Sequence, residues 1–268
     1  MAEPLRLVVH GAAGRMGQRV IACAAEDAAA WRLVAAVERA GHPRFGADAG
    51  VLAGLPSAGV PVADSWTCAT DVVVDFSLPE AVAGIVARCV QAGVPLVVAT
   101  TGLGPTERDA IQAAAKRIAV LQSPSMSLAV NIAMDLVGRA GALLDRVGGR
   151  TDVEILECHH RHKEDSPSGT ALKFGQIVQD AMGQTRAAHG REGRPGARPA
   201  DEIGYHAVRA GDNPGEHTIL FGMEGESLSV NVRATGRDCY ARGALAAAAF
   251  LAGRPAGLYS MRDVLGLS

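Results

Sequence analysis

The first half of the chain alternates short apolar runs with segments of helical spacing. The apolar runs RLVV, WRLVAAV, DVVVDF, VPLVV and IAVL all fall within residues 5–125. Runs of this length without polar alternation are typical of parallel strands that are buried on both faces. Residues 79–93 and 105–117 are predicted helices, and the first of these has Pro near its start and Gly at its end. Residues 40–61 are rich in Gly, Ala and Pro and are predicted to be loop.

This alternation predicts an α/β fold with a Rossmann-like, doubly wound parallel sheet. Strands and helices that alternate at this spacing form right-handed crossover units. In such sheets, ligands bind to the loops that follow the carboxyl ends of the strands. The loops after the predicted strands are therefore where we expect a site.

The pattern changes after residue 125 and predicts a different, α+β architecture. Residues 127–147 and 168–182 are predicted helices, with a strand at 151–161 between them. Residues 183–202 are rich in Gly, Arg and Pro and are predicted to be loop. The segments IGYHAVRAG, EHTILFGM and ESLSVNVRA are predicted to be strands of a mostly antiparallel sheet. Residues 240–253 and the tail after them are predicted to be helical.

Composition and charge narrow the classes of function. The net charge is −2, and aromatic residues make up only 4% of the chain, which argues against a nucleic-acid binder. No segment approaches the roughly 20 apolar residues that a membrane span needs. The five cysteines are scattered without a C-x-x-C pair, and no signal-like apolar core begins the sequence. We therefore expect free thiols and a cytoplasmic protein without a membrane partner.

The segment GAAGRMG places Gly11, Gly14 and Gly17 between a predicted strand and a predicted helix. Glycine allows a phosphate to approach bare N–H groups, and the helix N-terminus adds partial positive charge. The spacing is G-x-x-G-x-x-G, with Ala13 at the position of the usual middle glycine. A plain strand-to-helix turn is the alternative, but the strand–loop–helix context favours a dinucleotide site.

Further candidates for cofactor contact end the later strands. Glu38 ends the second strand, about twenty residues past the loop, where an acid binds the adenosine ribose. Arg39 follows it and could contact a 2′-phosphate, so the pair predicts use of both NADH and NADPH. The turns ATTG (99–102) and SPSM (123–126) could offer backbone groups to a nicotinamide ring. Alone, such a turn is more often an ordinary turn, but in this architecture both face the same crevice.

The stretch HHRHK (159–163) concentrates histidines and cations before an SPSGT turn. A zinc site is disfavoured, because adjacent histidines on a strand point to opposite faces and the cations would repel the ion. A solvated charge run is the second alternative, although the apolar ILEC before it indicates a strand that starts in the core. The third is a site for proton transfer and anion binding, in which the turn offers N–H groups to a carboxylate. The hydride donor predicted upstream favours this third hypothesis.

Together these segments resemble the 4-hydroxy-tetrahydrodipicolinate reductase (dihydrodipicolinate reductase) family. The resemblance rests on GAAGRMG, the Glu38–Arg39 pair, DFSLPE, ATTG, VEILECHHRHKEDSPSGTA, EIGYHAVRAGDNPGEHT and RATGRDCYARGALAAA. It implies NAD(P)H-dependent reduction of a small dicarboxylate in diaminopimelate and lysine biosynthesis. It also implies a homotetramer, with a dinucleotide-binding domain at 1–126, onto which 240–268 packs, and a substrate-binding and tetramerisation domain at 127–239.

The resemblance also implies roles for individual residues. His159 would be catalytic and Lys163 the proton donor, while His160, Gly169 and Thr170 would hold substrate carboxylates. No metal is implied. The cofactor would be lined by Gly11, Ala12, Ala13, Gly14, Arg15, Met16, Glu38, Arg39, Ala99, Thr100, Thr101, Ser123, Pro124, Ser125 and Met126. The family usually has Gly at position 99 and Asn at position 125, so Ala99 and Ser125 bear on cofactor preference but leave the HHRHK chemistry untouched.

Two other classes of function remain as alternatives. A dinucleotide-sensing protein would keep the glycine loop but would need no His/Lys cluster. A semialdehyde dehydrogenase would need a nucleophilic cysteine in an activating setting. Cys158 lies beside His159, but because it follows the apolar residues of ILEC we expect it to be buried and inert.

Overall fold

The structure is a computed structural model that describes residues 3–267. The chain divides into two units, and the first boundary between them follows residue 128. The strands are β1 (Leu5–His10), β2 (Trp31–Val37), β3 (Val62–Ala63), β4 (Val72–Asp75), β5 (Leu96–Val98), β6 (Ala119–Gln122), β7 (Asp152–His159), β8 (Arg186–His189), β9 (Glu202–Arg209), β10 (Glu216–Gly222), β11 (Ser227–Arg233) and β12 (Gly257–Tyr259). The helices are α1 (Arg15–Glu26), α2 (Ala49–Leu52), α3 (Pro79–Ala92), α4 (Pro105–Ala114), α5 (Leu128–Val147), α6 (Gly169–Met182), α7 (Asp238–Leu251) and α8 (Met261–Leu265). Residues up to Leu128 and from Arg237 onward form unit 1, and Ala129–Gly236 form unit 2.

Unit 1 contains a seven-stranded sheet in the order β12-β6-β5-β4-β1-β2-β3, in which every pairing between these strands is parallel. The predicted Rossmann-like fold is therefore confirmed. Successive residues of a strand point to opposite faces, so Leu7 and Val9 pack with α1 and α7, whereas Val8 packs with α3 and α4. Because both faces are covered, the central strands contain hardly any polar residue.

Helix α1 lies very close to the glycine loop that precedes it. A Cβ atom built on Gly17 would lie 2.1 Å from the carbonyl oxygen of Gly11. Gly11 has φ +76°, and a Cβ there would lie 2.4 Å from the carbonyl oxygen of Phe76. Both contacts are with backbone, which cannot move aside without shifting the strand–loop–helix junction. These two glycines are thus required by the close approach of chain segments.

Unit 2 packs two helices on one face of a five-stranded sheet in the order β11-β10-β7-β9-β8. Its core joins α5 and α6 to the inward residues of the sheet, among them Ile155, Phe174 and Phe221. β10 runs antiparallel to β7 and β11, whereas β9 runs parallel to β7 and to β8. Helix α6 follows β7 and carries the chain back across the sheet. The strand that then pairs with β7, β9, can therefore run parallel to it. The sheet is mixed, as an α+β unit allows.

Three segments differ from their predictions. The predicted loop 40–61 contains the single turn α2, whose first residues are held because Asp48 accepts a hydrogen bond from the N–H of Val51. The predicted loop 183–202 contains β8, an edge strand with no buried residue and hence no apolar pattern. The predicted helical tail contains β12, which pairs with β6 before α8 begins. Within the described residues, no helix has the length and apolar character of a membrane span.

The close approach of α1 makes position 17 sensitive to a single methyl group. Gly17→Ala should lower the free energy of unfolding by about 1–3 kcal/mol, because the methyl group meets backbone atoms. Gly84→Ala is the matched control, since it lies within α3 with nothing within 4 Å of the added Cβ. That substitution should stabilise by about 0.5–1 kcal/mol, as alanine does in an open helix. Urea denaturation of both variants measures the difference, and equal stabilities would contradict the close approach.

Candidate active site

The glycine loop lies at the carboxyl edge of the sheet of unit 1, between the ends of β1 and β2. The N–H groups of Gly11 and Ala12 both donate to the carbonyl of Val37, at 2.9 and 3.2 Å. Gly14 precedes α1 and has no side chain that could cap it, and no acidic residue lies in the first turn. The first N–H groups of α1 are therefore left to a ligand, and their partial positive charge suits the phosphates of a dinucleotide.

Glu38 directly follows β2 and is connected to the same loop. Its Oε1 accepts a hydrogen bond from the N–H of Ala13 at 2.9 Å, and its side chain is half-buried. Arg39 beside it is exposed. The acid is thus held next to the loop while the guanidinium is free to reach solvent or a ligand.

A buried polar network joins the ends of β1, β4 and β5. Asp75 is completely buried and accepts from Thr100 Oγ1 at 2.7 Å and from the N–H of Ser77 at 3.2 Å. Its Oδ1 also lies 2.6 Å from Nδ1 of His10. The hydroxyl of Thr100 accepts from the N–H of Ser77 at 3.0 Å, so this side chain is used within the protein. Any contact of Thr100 with a cofactor would be left to its backbone.

The other predicted cofactor residues end the neighbouring strands. Ala99 is buried and Thr101 is exposed, immediately after β5. In the turn after β6, Ser123 Oγ donates to the carbonyl of Ser125 at 2.8 Å, and Pro124 is exposed. Because the carboxyl ends of parallel strands share one edge, the structure brings these turns to the same edge as the glycine loop.

In unit 2, alternate residues of β7 point toward the helices, and these include Glu157 and His159. Glu157 is buried and lies within hydrogen-bonding distance of Nδ1 of His159. It also accepts from Arg209, at 2.8 Å from Nη1 and 2.9 Å from Nη2, and from the N–H of Ser168 at 3.0 Å. One carboxylate thus holds a candidate catalytic histidine and Ser168, the residue that caps the N-terminus of α6.

Burial and charge act in opposite directions on this pair. Burial raises the pKa of Glu157, but the hydrogen bonds from Arg209, His159 and Ser168 outweigh it, so the pKa lies below its ordinary value. For His159, burial lowers the pKa and outweighs the hydrogen bond to Glu157, which raises it. The positive charges of Lys163 and Arg209 lower it further. The carboxylate is therefore kept ionised and the imidazole is biased toward its neutral form.

His217 is buried next to His159 and was not singled out from the sequence. The two rings meet edge to face with centroids 5.2 Å apart, and Nε2 of His217 lies 3.1 Å from Oγ of Ser168. Burial is the main cause that lowers the pKa of His217 to about 4, and the neighbouring His159 adds to the effect. His217 is therefore neutral at pH 7. The signal for it was the EHT segment, whose alternation places His217 and Ile219 on the inward face.

The remaining predicted residues lie between β7 and α6. Nζ of Lys163 donates to Asp165 at 2.8 Å, and this hydrogen bond is the main cause that lowers the pKa of Asp165. His160 is half-buried, and its Nδ1 is buried without a hydrogen-bond partner among the residues described. Gly169 and Thr170 open α6, after Ser168 caps it by accepting from the N–H of Ala171 at 3.2 Å. An ammonium group and free helix N–H groups are suited to a carboxylate ligand.

Cys158 differs from its prediction. It is half-buried instead of buried, because its side chain lies on the face of β7 opposite to Glu157 and His159. The inward side chains are covered by helices, whereas the outward ones include the exposed Leu156. Between residues 3 and 267, no group of three or more His, Cys, Asp or Glu side chains has the arrangement of a metal site.

Comparison with known proteins identifies relatives over the whole chain. A family model described as dihydrodipicolinate reductase, N-terminus, matches residues 5–126, and one described as dihydrodipicolinate reductase, C-terminus, matches residues 129–265. The 4-hydroxy-tetrahydrodipicolinate reductase of Rhodopirellula baltica is 52% identical, over 99% of this chain and 97% of the relative. The enzyme of the same name from Halorhodospira halophila is 43% identical, over 98% and 99%.

A solved structure supports the same fold. A dipicolinate-bound dihydrodipicolinate reductase from Paenisporosarcina sp. TG-14 superposes with a TM-score of 0.77, at 24% identity, over 97% of this chain and 98% of that one. At this identity the likeness is one of fold.

The buried His217 should make stability depend on pH. Its pKa of about 4 in the folded chain lies below its ordinary value of 6.5, so below pH 6.5 the unfolded chain binds a proton that the folded chain excludes. Stability should therefore fall as the pH decreases from 6.5 toward 4, by about 2 kcal/mol between pH 7 and pH 5. Urea denaturation at both pH values measures the effect. In His217→Gln this contribution should vanish while that of His159 remains, and an unchanged pH dependence would refute the assignment.

Proposed function

This chain belongs to the dihydrodipicolinate reductase family, and from that premise we propose that it reduces 4-hydroxy-tetrahydrodipicolinate to tetrahydrodipicolinate. It is a pyridine-nucleotide-dependent oxidoreductase of diaminopimelate and lysine biosynthesis. The observation that carries the assignment of chemistry is the cluster in which Glu157 holds both His159 and the first turn of α6, next to Lys163.

The residues of unit 1 fit a nicotinamide dinucleotide. The start of α1 has no side-chain cap, and Gly11 occupies a position where a Cβ would strike backbone. A bare loop before an uncapped helix can receive a pyrophosphate, with Gly11 to Met16 around it. Ala99 to Thr101 and Ser123 to Met126 would line the nicotinamide end. When bound, the reduced nicotinamide supplies the hydride.

Unit 2 would bind the dicarboxylate and supply the proton. His160 and the N–H groups of Gly169 and Thr170 would hold the carboxylates, because the start of α6 attracts anions. The substrate loses its hydroxyl group as water, which leaves a conjugated imine. After hydride is added to that imine, Lys163 would donate the proton that the resulting enamine takes up. Its ammonium group also offsets the negative charge of the substrate. His159 would place the ring and stabilise the charge that develops on it.

Glu38 and Arg39 would determine how the two cofactors are bound. A carboxylate accepts hydrogen bonds from the two ribose hydroxyls of NADH, whereas a guanidinium pairs with the 2′-phosphate of NADPH. Since Glu38 is held beside the loop and Arg39 is exposed, we propose that both cofactors are accepted.

The alternatives are less well supported. A semialdehyde dehydrogenase would need a cysteine beside its base, but Cys158 lies on the opposite face of β7 from His159. A sensor without turnover would not need the His159–Lys163 cluster.

We further propose a homotetramer, supported by the exposed Leu156 and Val208 on the open face of the sheet of unit 2. A cytoplasmic location is also proposed, since all five cysteines are free.

Replacement of Lys163 should reduce turnover without unfolding the protein. Lys163→Ala should lower kcat for the oxidation of NADH with freshly prepared 4-hydroxy-tetrahydrodipicolinate by roughly 10²–10⁴-fold, which is the usual contribution of general acid catalysis. Lys173→Ala is the control. Lys173 is an exposed residue of α6, so this substitution removes the same charge at a position outside the cluster. A Lys163→Ala enzyme with the kcat of the control would exclude Lys163 as the proton donor.

Glu38 and Arg39 can be tested as a reciprocal pair. Glu38→Ala should raise KM for NADH more than KM for NADPH, since only NADH offers a free 2′-hydroxyl. Arg39→Ala should do the reverse, because it removes the partner of the 2′-phosphate. Steady-state kinetics with each cofactor measure both ratios, and equal losses for the two cofactors in both variants would argue against these roles.

A further inference from the structure

Each of the two carboxylate oxygens of Glu157 is in contact with two hydrogen-bond donors. Oε1 accepts from the N–H of Ser168 at 3.0 Å and from Nη2 of Arg209 at 2.9 Å. Oε2 accepts from Nη1 of Arg209 at 2.8 Å and contacts Nδ1 of His159. Glu157 is only 2% exposed, so water does not substitute for these donors. The bidentate contact with the guanidinium of Arg209 thus fixes the orientation of the carboxylate and the donors that each oxygen contacts.

This arrangement determines which ring nitrogen of His159 carries the proton. An ionised carboxylate can only accept hydrogen bonds, so Nδ1 must be the donor toward Oε2. Nε2 is then the atom at which the neutral ring has its lone pair and at which it exchanges a proton. The bidentate contact with Arg209 keeps Glu157 ionised and so preserves this assignment.

We propose that Glu157 is a positioning residue for the reduction. Its Oε2 fixes the tautomer and orientation of His159, while its Oε1 holds the Ser168 end of the anion-binding turn in register with that ring. The inference rests on the proposed function, in which His159 and the first turn of α6 contact the dicarboxylate. Glu157 itself would touch neither substrate nor cofactor.

An ion pair that served only stability would not need to lie beside His159. Glu154, on the same strand but on the opposite face, also pairs with arginines, at 2.7 Å from Arg191 and 3.0 Å from Arg198. It has no contact with His159 in the described structure. The charged and titratable groups that face His159 are Glu157 on β7, Arg209 on β9, His217 on β10 and Lys163 in the following loop. Among these groups, only Glu157 accepts a hydrogen bond from a ring nitrogen of His159.

Glu157→Gln tests the proposal because the amide must choose an orientation. Arg209 donates at both positions, so in either orientation the NH₂ group faces one of its N–H groups. At the Oε1 position it would also face the N–H of Ser168, which has no other protonation state, so it should turn toward His159. Nδ1 of His159 must then accept, and the proton moves to Nε2. ¹⁵N NMR of the imidazole should show this change of tautomer. Because the opposite tautomer faces the substrate, kcat should fall roughly 10- to 100-fold, the usual effect of removing a residue that orients a functional histidine.

Two further readouts separate positioning from stability. The limb of the pH–rate profile that reports His159 should move to lower pH, since the negative charge that raises its pKa is lost, while KM for NADH stays unchanged. Glu157→Asp keeps the charge and should restore the Nδ1–H tautomer with part of the activity. Glu154→Gln, the matched control, should lower stability without changing the tautomer of His159 or the pH–rate profile, although it also removes the contact of Glu154 with His206 at 2.7 Å.

The proposal is overturned if the imidazole spectrum of Glu157→Gln matches that of the unaltered protein, or if its kcat equals that of Glu154→Gln. The spectrum requires no substrate, so it judges the role of Glu157 separately from the reaction. If the unaltered protein does not oxidise NADH or NADPH with the dicarboxylate, the proposed function fails, whatever the tautomer.

Discussion

A carboxylate without access to water must be surrounded by hydrogen-bond donors, and this requirement shapes both halves of the molecule. Asp75 contacts donors at the end of β1 and just after β4 and β5, and Glu157 contacts donors on β7, on β9 and at the start of α6. Because these donors come from several elements, each carboxylate ties those elements together. The loops at both candidate sites are thereby held in one arrangement before any ligand binds.

Most of the fold follows from the hydrophobic pattern, because burial on both faces leaves an unambiguous signal. The strands β1, β4 and β5 are mostly apolar, and a parallel sheet was predicted from such runs. The signal fails where burial is weak. β8 has an exposed edge and β12 is three residues long, so neither stands out from loop or helix. The direction of β9 depends on which strand it pairs with, and alternation along one strand does not specify its neighbour.

The candidate sites were predictable where chemistry is concentrated in a short stretch of sequence. The segments HHRHK and GAAGRMG indicate candidate sites by their residue types and spacing. The partners Glu157 and His217 were missed, because a single acid or histidine in a strand carries no signal until its face is considered. Glu157 lies two residues before His159 and therefore shares its face, which was available from alternation alone. The pairing with Arg209, 52 residues further along, required the sheet register.

Unit 1 is interrupted in the chain by unit 2, because α7 and β12 return to its core after residue 236. During synthesis, the ribosome therefore releases all of unit 2 before the last parts of unit 1 emerge. Until α7 is made, the face of the sheet that receives Ala244, Ala248 and Leu251 is open to water. The nascent polypeptide thus has its nucleotide-binding half unfinished for the longest time, and that half is the more exposed to chaperones and proteases.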